Sequence, residues 1–423
     1  MKILVVGSGG REHALCRAFS QSSRVKKVYC ANGNAGIASV AECVDIKPEE
    51  IEKLADFAAE NRIDLTFVGG ETSLALGIVD LFESRLLKII GPTKEAARLE
   101  ASKAYAKDLM KRYGIPTAAY RKANSPREAI YILEKGFFGG EAMPVVIKAD
   151  GLAAGKGVVV AANRAEAIVA INGLESLVGA EASGKIIIEE RLVGEEVSLL
   201  LFSDGHKYAL MPATRDHKRI GEGDTGPNTG GMGAITDDAL LDPSEISEIE
   251  VRVIMRTLDA CNSEGFDFKG IMFLGLMMTD DGPKVLEYNV RFGDPETQAI
   301  LVRLETDLVD ICEAMLEGRI KELDIKWREG SSACVVLASE GYPGKARTGD
   351  VIQGLNEAEE VGNVAVFHAG TAFGKDGDIV TAGGRVLGVT ATGADRDEAL
   401  SWAYEAVEEI SWPGMQYRRD IGK

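Results

Sequence analysis

Basic charge is what this chain has least of. Lysine and arginine number 48 against 66 acidic side chains, leaving a formal charge of −18 over 423 residues. That excess repels phosphodiester backbones and anionic headgroups, so neither nucleic acid nor a membrane surface is an expected partner, and an anionic small molecule must be held by cations gathered locally. Histidine is scarce as well. His13, His206, His217 and His368 make no cluster in the sequence and suggest neither a nucleophilic triad nor a metal centre. The six cysteines (Cys16, Cys30, Cys43, Cys261, Cys312 and Cys334) include no Cys-x-x-Cys pair and no histidine at ligand spacing, which points to reduced, packed thiols rather than zinc or disulfides. Long apolar runs are missing too. The longest, residues 271–278, is less than half of the roughly 20 residues that a spanning helix needs. The chain opens on a strand-like run at residues 3–6, far shorter than a secretory signal core, so a cytoplasmic location is expected.

What is present is an ordinary globular composition, 45% apolar and 27% charged, with length for about three domains of ~150 residues. Residues 1–102 alternate short β-branched runs (3–6, 27–30, 65–68, 88–90) with helical patterns (11–21, 49–61, 76–83), which predicts a parallel α/β sheet. Gly91-Pro92-Thr93 breaks that pattern, and residues 94–113 read as one long amphipathic helix. Beyond residue 120 the strands lengthen and fall in neighbouring pairs, 145–148 with 158–161 and 185–189 with 197–202, as antiparallel sheets do. Helices are predicted at 125–135, 165–173 and 244–264, and residues 328–423 read as a small α+β domain closed by a helix at 396–410. The fold class is therefore multidomain, α/β followed by α+β.

Four segments are candidates for chemistry. Gly7-Ser8-Gly9-Gly10-Arg11-Glu12-His13 joins the first strand to the first helix, where free amides and the helix dipole favour an anion and Arg11 can grip a phosphate with two donors. A bare strand-to-helix turn uses glycine for the same backbone reasons, and a dinucleotide fingerprint is a poor match because Glu12 stands where glycine or alanine belongs. Asp150-Gly151-Leu152-Ala153-Ala154-Gly155-Lys156-Gly157 fails as a phosphate loop of the Walker type, yet it places Lys148 and Lys156 around three glycines in a turn between strands, either an ordinary hairpin or a lid over a polyphosphate. Glu287 and Asn289 end a strand, and a two-residue period puts both on one face, opposite Leu286 and Tyr288, as two oxygen donors for magnesium or as a solvated strand end. Arg291, Asp294 and Glu296 follow at once. Residues 189–196, Glu189-Glu190-Arg191-Leu192-Val193-Gly194-Glu195-Glu196, are either a solvated acidic turn or a hinge whose backbone reads a base edge.

Taken with Asn32-Gly33-Asn34-Ala35-Gly36, Ser102-Lys103, Asp216-His217-Lys218-Arg219, the glycine-rich stretch 223–233, Arg291-Phe292-Gly293-Asp294-Pro295-Glu296-Thr297-Gln298 and Thr381-Ala382-Gly383-Gly384-Arg385-Val386-Leu387, these segments closely resemble the glycinamide ribonucleotide synthetase (phosphoribosylamine-glycine ligase) family, a branch of the ATP-grasp superfamily. The likeness covers essentially the whole chain. It implies an N-terminal substrate domain at 1–102, an ATP-grasp domain at 103–327 with a small lid subdomain at about 120–192, and a C-terminal domain at 328–423. It further implies that Lys103, Lys148, Gly155, Lys156 and Gly157 meet ATP phosphates. Glu189, Glu190 and Leu192 would frame adenine, Glu196 would bind ribose, and Glu287 with Asn289 would hold magnesium or manganese. Lys148, Arg291, Asp216 and Lys218 would act at the reacting centre, while Gly9, Gly10, Arg11, Glu12, Asn34, Glu71 and Asp294 would bind substrate. The implied partners are ATP, glycine and 5-phosphoribosylamine, with a monomer expected and a dimer the alternative. Residues 271–278 carry no carboxylate, where many ATP-grasp enzymes have another metal ligand, and Gly70 precedes Glu71 where the family commonly has proline. Competing readings are an ATP-grasp ligase with another acceptor, a nicotinamide dehydrogenase and a nucleotide sensor.

Overall fold

The computed structural model describes residues 1–152 and 157–423. Five parallel strands form the first sheet, in the order Glu42–Val44, Lys27–Asn32, Lys2–Gly7, Leu65–Val68, Ile89–Ile90. The central strand is buried on both faces, as a parallel sheet covered by helices requires. Leu4 and Val6 join one apolar core with Leu54 and Leu74, whereas Ile3 and Val5 join another with Phe202, Phe273 and Phe292. The period of two thus sends this strand into two cores, and both reach the rest of the molecule, the first also taking in Leu199, Leu274 and Val285.

A four-stranded antiparallel sheet follows, ordered Tyr120–Ala123, Ile186–Glu190, Val145–Ala149, Val158–Ala161. It has its own core, built from Ala129, Ile132, Ile147, Ile171 and Ile188 among others. The helix Pro126–Glu134 starts with the Ser125 hydroxyl accepting from the Glu128 amide and with proline in the first turn, where its missing N–H costs nothing.

The largest sheet has nine strands. Its path runs Gly282–Asn289, Phe268–Thr279, Glu195–Gly205, Thr214–Asp216, Gly233–Thr236, Ser331–Ala338, Arg385–Gly393, Val364–His368, with Tyr208–Leu210 added at Glu195–Gly205. The C-terminal strands therefore extend the central sheet, Gly233 pairing with Val335 and Thr236 with Ser332. No sequence signal announces this join, because the two partners lie about a hundred residues apart.

Three local expectations need correction. The helix read over 94–113 is two, Lys94–Ala101 and Lys103–Arg112, with Ser102 extended between them. Cys43 is exposed, although the other five cysteines are buried. His13 and His368 do meet: the His368 amide donates to His13 Nδ1 at 2.8 Å and the rings lie edge to face. Burial holds both imidazoles down, to about 3 for His13 and about 4 for His368, so the pair is neutral packing between the N- and C-terminal parts.

Candidate active site

Ser102 breaks its helix for a reason. Its hydroxyl caps the next helix by accepting from the Tyr105 amide, and it lies 3.3 Å from both Asp150 oxygens, while Asp150 also takes the Ala104 amide at 3.1 Å. The restart places Lys103 in a first turn beside the small sheet, its Nζ 2.9 Å from the Gly151 carbonyl. Gly155 and Lys156 lie outside the described residues; Gly157, the first described residue after them, offers its carbonyl to the Ala149 amide at 2.8 Å.

Lys148 is buried, donating to the Leu286 carbonyl at 3.0 Å and lying 3.1 Å from Glu189 Oε2. The same Glu189 oxygen takes Lys107 Nζ at 3.0 Å, and Lys107 also donates to Thr117. Glu189 Oε1 is buried without a hydrogen-bond partner among the described residues. Glu189 thus ties together two ammonium groups from different elements. Sequence reasoning missed Lys107, although its spacing of four from Lys103 puts both on one helix face. Glu190 is engaged with the Ala119 amide, and Leu192 is half-buried in the segment that leads to Glu196.

Glu287 and Asn289 end the strand Gly282–Asn289 in continuous register with Gly275 and Phe273, so the two-residue period holds from Glu287 to Asn289 and is broken only before Glu287. A register shift occurs opposite Gly275 and Leu276, so Val285 and Tyr288 both face the core, and the Leu286 carbonyl is turned to Lys148. A bulge re-aims side chains in this way. Gly275 pairs with Glu287, and a Cβ there would come within 3.2 Å of the Glu287 side chain, so the glycine makes room for the carboxylate. Desolvation raises the Glu287 carboxyl, yet Lys218, Lys148, Lys103 and Arg291 outweigh it and hold Glu287 below the usual range, ionised.

Lys218, one of the cations acting on Glu287, pairs with Glu196. Desolvation pushes Asp216 up to about 8; Lys218 opposes this, while Glu296, Glu196 and Glu287 add to it. Arg291 is held by two carboxylates, Glu71 at 3.2 Å and Glu100 at 2.8 Å, and its Nη2 lies 3.3 Å from Asn289 Oδ1. Glu100, which the sequence did not single out, also accepts from the Val290 amide at 2.8 Å. Burial raises Glu71, but Arg291 and then Arg11 bring it down to about 2. Gly70 leaves space here, since a Cβ on it would approach an Arg11 nitrogen to 3.3 Å.

At the N-terminal turn, Arg11 donates to the Phe292 carbonyl at 3.0 Å and to Glu12 at 2.6 Å. Glu12 is buried beneath the turn and caps it through the Gly9 amide at 2.6 Å; any Cβ on Gly7 or Gly69 would collide with it, at 2.6 and 2.2 Å. Gly10 gives Gln298 similar clearance at 2.5 Å. Asn34 spends its amide on the carbonyls of Ser8 and His368, both at 2.8 Å, and its oxygen on the Ile37 amide at 2.9 Å. Asp294 faces Gly9, takes Gln298 at 2.8 Å and pairs with Arg385 at 3.3 Å. Arg385 comes from the C-terminal segment and also donates to the carbonyls of Gly230 and Asp294, both at 2.6 Å. These contacts thus link side chains from all parts of the chain.

Residues 1–100 match the phosphoribosylglycinamide synthetase N domain, residues 101–297 its ATP-grasp (A) domain and residues 332–423 its C domain. The chain is 48% identical over 422 residues to a phosphoribosylamine–glycine ligase of Caldanaerobacter subterraneus, spanning 100% of this chain and 99% of the relative. It is 46% identical over 424 residues to that of Brucella melitensis, spanning 100% and 97%. The crystal structure of phosphoribosylamine–glycine ligase from Thermotoga maritima aligns over 100% of both chains with a TM-score of 0.85 at 35% identity. A biotin carboxylase domain from Hydrogenobacter thermophilus shares the fold, with a TM-score of 0.72 at 18% identity over 98% of this chain and 91% of that one. With the three domains matched in order over nearly its whole length, the chain belongs to the phosphoribosylglycinamide synthetase family.

Proposed function

We propose that this protein is an ATP-dependent ligase that joins glycine to 5-phosphoribosylamine, giving glycinamide ribonucleotide, ADP and phosphate in de novo purine biosynthesis. The observation that carries the reading is the convergence of Lys103, Lys148, Lys218 and Arg291, from four separate segments, on the ionised Glu287. A chain of charge −18 gathers cations in this way where a polyphosphate has to be held.

The family membership supports the chemistry. A glycine carboxylate oxygen attacks the γ-phosphorus of ATP and ADP leaves; the amine nitrogen of phosphoribosylamine then attacks the acyl carbon of glycyl phosphate and phosphate leaves. Phosphoryl transfer asks for positioning and charge neutralisation rather than covalent help. In this reading Lys103 and Lys148 meet the phosphates under a lid that includes Gly155, Lys156 and Gly157. Glu189, Glu190 and Leu192 frame the base, and Glu196 meets the ribose. Asp216, Lys218 and Arg291 serve the amino-acid side. Gly9, Gly10, Arg11, Glu12, Asn34, Glu71 and Asp294 form or shape the phosphoribosylamine seat, where Arg11 supplies the charge and Glu12 and Asn34 hold the turns.

A divalent cation fits the donor set. No group of three His, Cys, Asp or Glu side chains forms a metal site among the described residues. Glu287 and Asn289 offer one ionised carboxylate and one amide oxygen, the one or two protein donors that magnesium takes when phosphates and water complete its shell. Bound there, magnesium or manganese would neutralise charge on the transferring phosphoryl group. The proposed division into residues 1–102, 103–327 and 328–423, with a lid at about 120–192, is supported by the separate core of the small sheet. The protein is proposed to act in the cytoplasm as a monomer.

The test is ADP release with glycine and freshly generated phosphoribosylamine, against other amino acids and amines. Dependence on both named substrates is expected. Equal release with another pair would assign a different acceptor, and thermal stabilisation by NAD but not by ATP–magnesium would favour a dehydrogenase.

A further inference from the structure

The last residues of the chain are built into the back of the acceptor segment. Arg418 has only 2% of its side chain exposed. Its guanidinium donates to Asp420 through Nε and Nη2, both at 2.7 Å, to Asp224 at 2.7 Å and to the Arg219 carbonyl at 3.1 Å. Asp420 in turn accepts from the Gly223 amide at 2.8 Å, and Glu222 accepts from the Arg419 amide at 3.2 Å. Next along, the Gly422 amide donates to His217 Nε2 at 3.1 Å. Tyr404 anchors this tail to the final helix, donating to the Arg418 carbonyl at 2.9 Å and accepting from the Ile421 amide at 3.1 Å.

His217 lies between Asp216 and Lys218. Its own backbone is fixed to the far end of the glycine-rich stretch, its amide to the Gly233 carbonyl at 2.9 Å and its carbonyl to the Met232 amide at 2.8 Å. Successive side chains of an extended segment point to opposite sides. His217 is buried and turned to the tail, while Lys218 meets Glu196. The tail therefore grips the reverse side of the peptide whose front carries Asp216 and Lys218.

We propose that residues 418–422 are a positioning latch for the acceptor site: through Arg418 and the Gly422 amide they fix the segment from Asp216 to Asp224, so that Asp216 and Lys218 stay aimed at the amino acid. Arg418 is a positioning residue and touches no substrate. The inference rests on the acceptor-pocket reading given above, and it predicts a selective defect. Displacing reacting groups by about 1 Å can cost up to about a hundredfold, and the nucleotide side is held mainly by Lys103, Lys148 and the small sheet, meeting the latched segment where Lys218 pairs with Glu196 and where Asn228 donates to the Val158 carbonyl.

Steady-state kinetics on the full-length enzyme tests it. Arg418→Met is expected to raise KM for glycine about tenfold or more and to leave KM for ATP within about twofold, with Arg418→Lys recovering part of the loss. Asp224 is 70% exposed and sits at φ +53°, a conformation that glycine adopts freely, so Asp224→Gly removes one arm of the latch without threatening the fold. It should shift glycine KM a few-fold in the same direction, and it decides the matter if Arg418→Met does not fold. A parallel rise of both KM values, or an unchanged glycine KM in folded variants, overturns the latch. Lys218→Met separates the two levels: if it raises glycine KM while Arg418→Met does not, only the latch fails, and if neither does, the acceptor reading fails with it.

Discussion

The pair formed by Lys107 and Glu189 permits a quantitative test. Both side chains are 2% exposed, and burial together with the neighbouring Lys148 brings the Lys107 ammonium from the ordinary 10.5 down to about 8, against the pull of Glu189. Between those two values the unfolded chain holds a proton on Lys107 that the folded chain has released. Stability must therefore rise with pH across that window, and the unfavourable contribution is in full force below pH 8. At about 1.4 kcal/mol for each pH decade, the gain is about 3 kcal/mol. Lys107→Met keeps the length of the side chain and removes the titration. Urea denaturation of both proteins at several pH values from 7.5 to 10.5 should show the wild type gaining about 3 kcal/mol on the variant. Lysines remote from this pair cancel in the difference, whereas Lys148, which shares Glu189 Oε2 with Lys107, is coupled to it. A difference that stays constant with pH would refute the assignment of a depressed ammonium to this site.

Three further perturbations follow from the same geometry. Glu287→Gln should lower turnover about tenfold or more with little change in thermal stability, because one oxygen donor and one charge are lost among Lys103, Lys148, Lys218 and Arg291; near-normal turnover at saturating magnesium removes the metal assignment. Since desolvation lifts Asp216 to about 8, kcat/KM for glycine should climb as pH rises through 8, and Asp216→Asn should flatten that limb; a limb that survives in the variant belongs to another group. Ser102→Ala should cost about 1 kcal/mol through the lost cap and also raise KM for ATP by freeing Asp150 and the turn that carries Lys103; an unchanged urea midpoint would contradict the capping role.

The sequence reveals features whose causes are local. The turn at Gly7–Gly10 is legible because a β-branched run, clustered glycines and an amphipathic stretch follow one another directly, and the parallel sheet follows from the repetition of that unit. The motifs around Lys148 and Arg291 stand out by residue type alone. What stays hidden is set by partners distant in sequence. Asp150, forty-eight residues away, holds the Ser102 hydroxyl and the Ala104 amide where the helix breaks, which periodicity cannot register. The bulge at Leu286 overrides simple alternation because Val285 and Tyr288 both gain by facing the core. Glu100, Lys107 and Arg385 look like surface charges in the sequence and become pairing groups only once Arg291, Glu189 and Asp294 are brought against them.

The shared sheet has a practical consequence for anyone dissecting the gene. Because the strand Ser331–Ala338 bonds to Gly233–Thr236 on one side and to Arg385–Gly393 on the other, the seam near residue 330 is a ladder of hydrogen bonds rather than a tether. A shortened polypeptide stopping there would bare the amides and carbonyls of residues 233–236 and invite edge-to-edge clumping. Tags and fusion partners belong instead at solvent-facing hairpin tips such as Asp376-Gly377, where an inserted stretch interrupts no strand of that ladder.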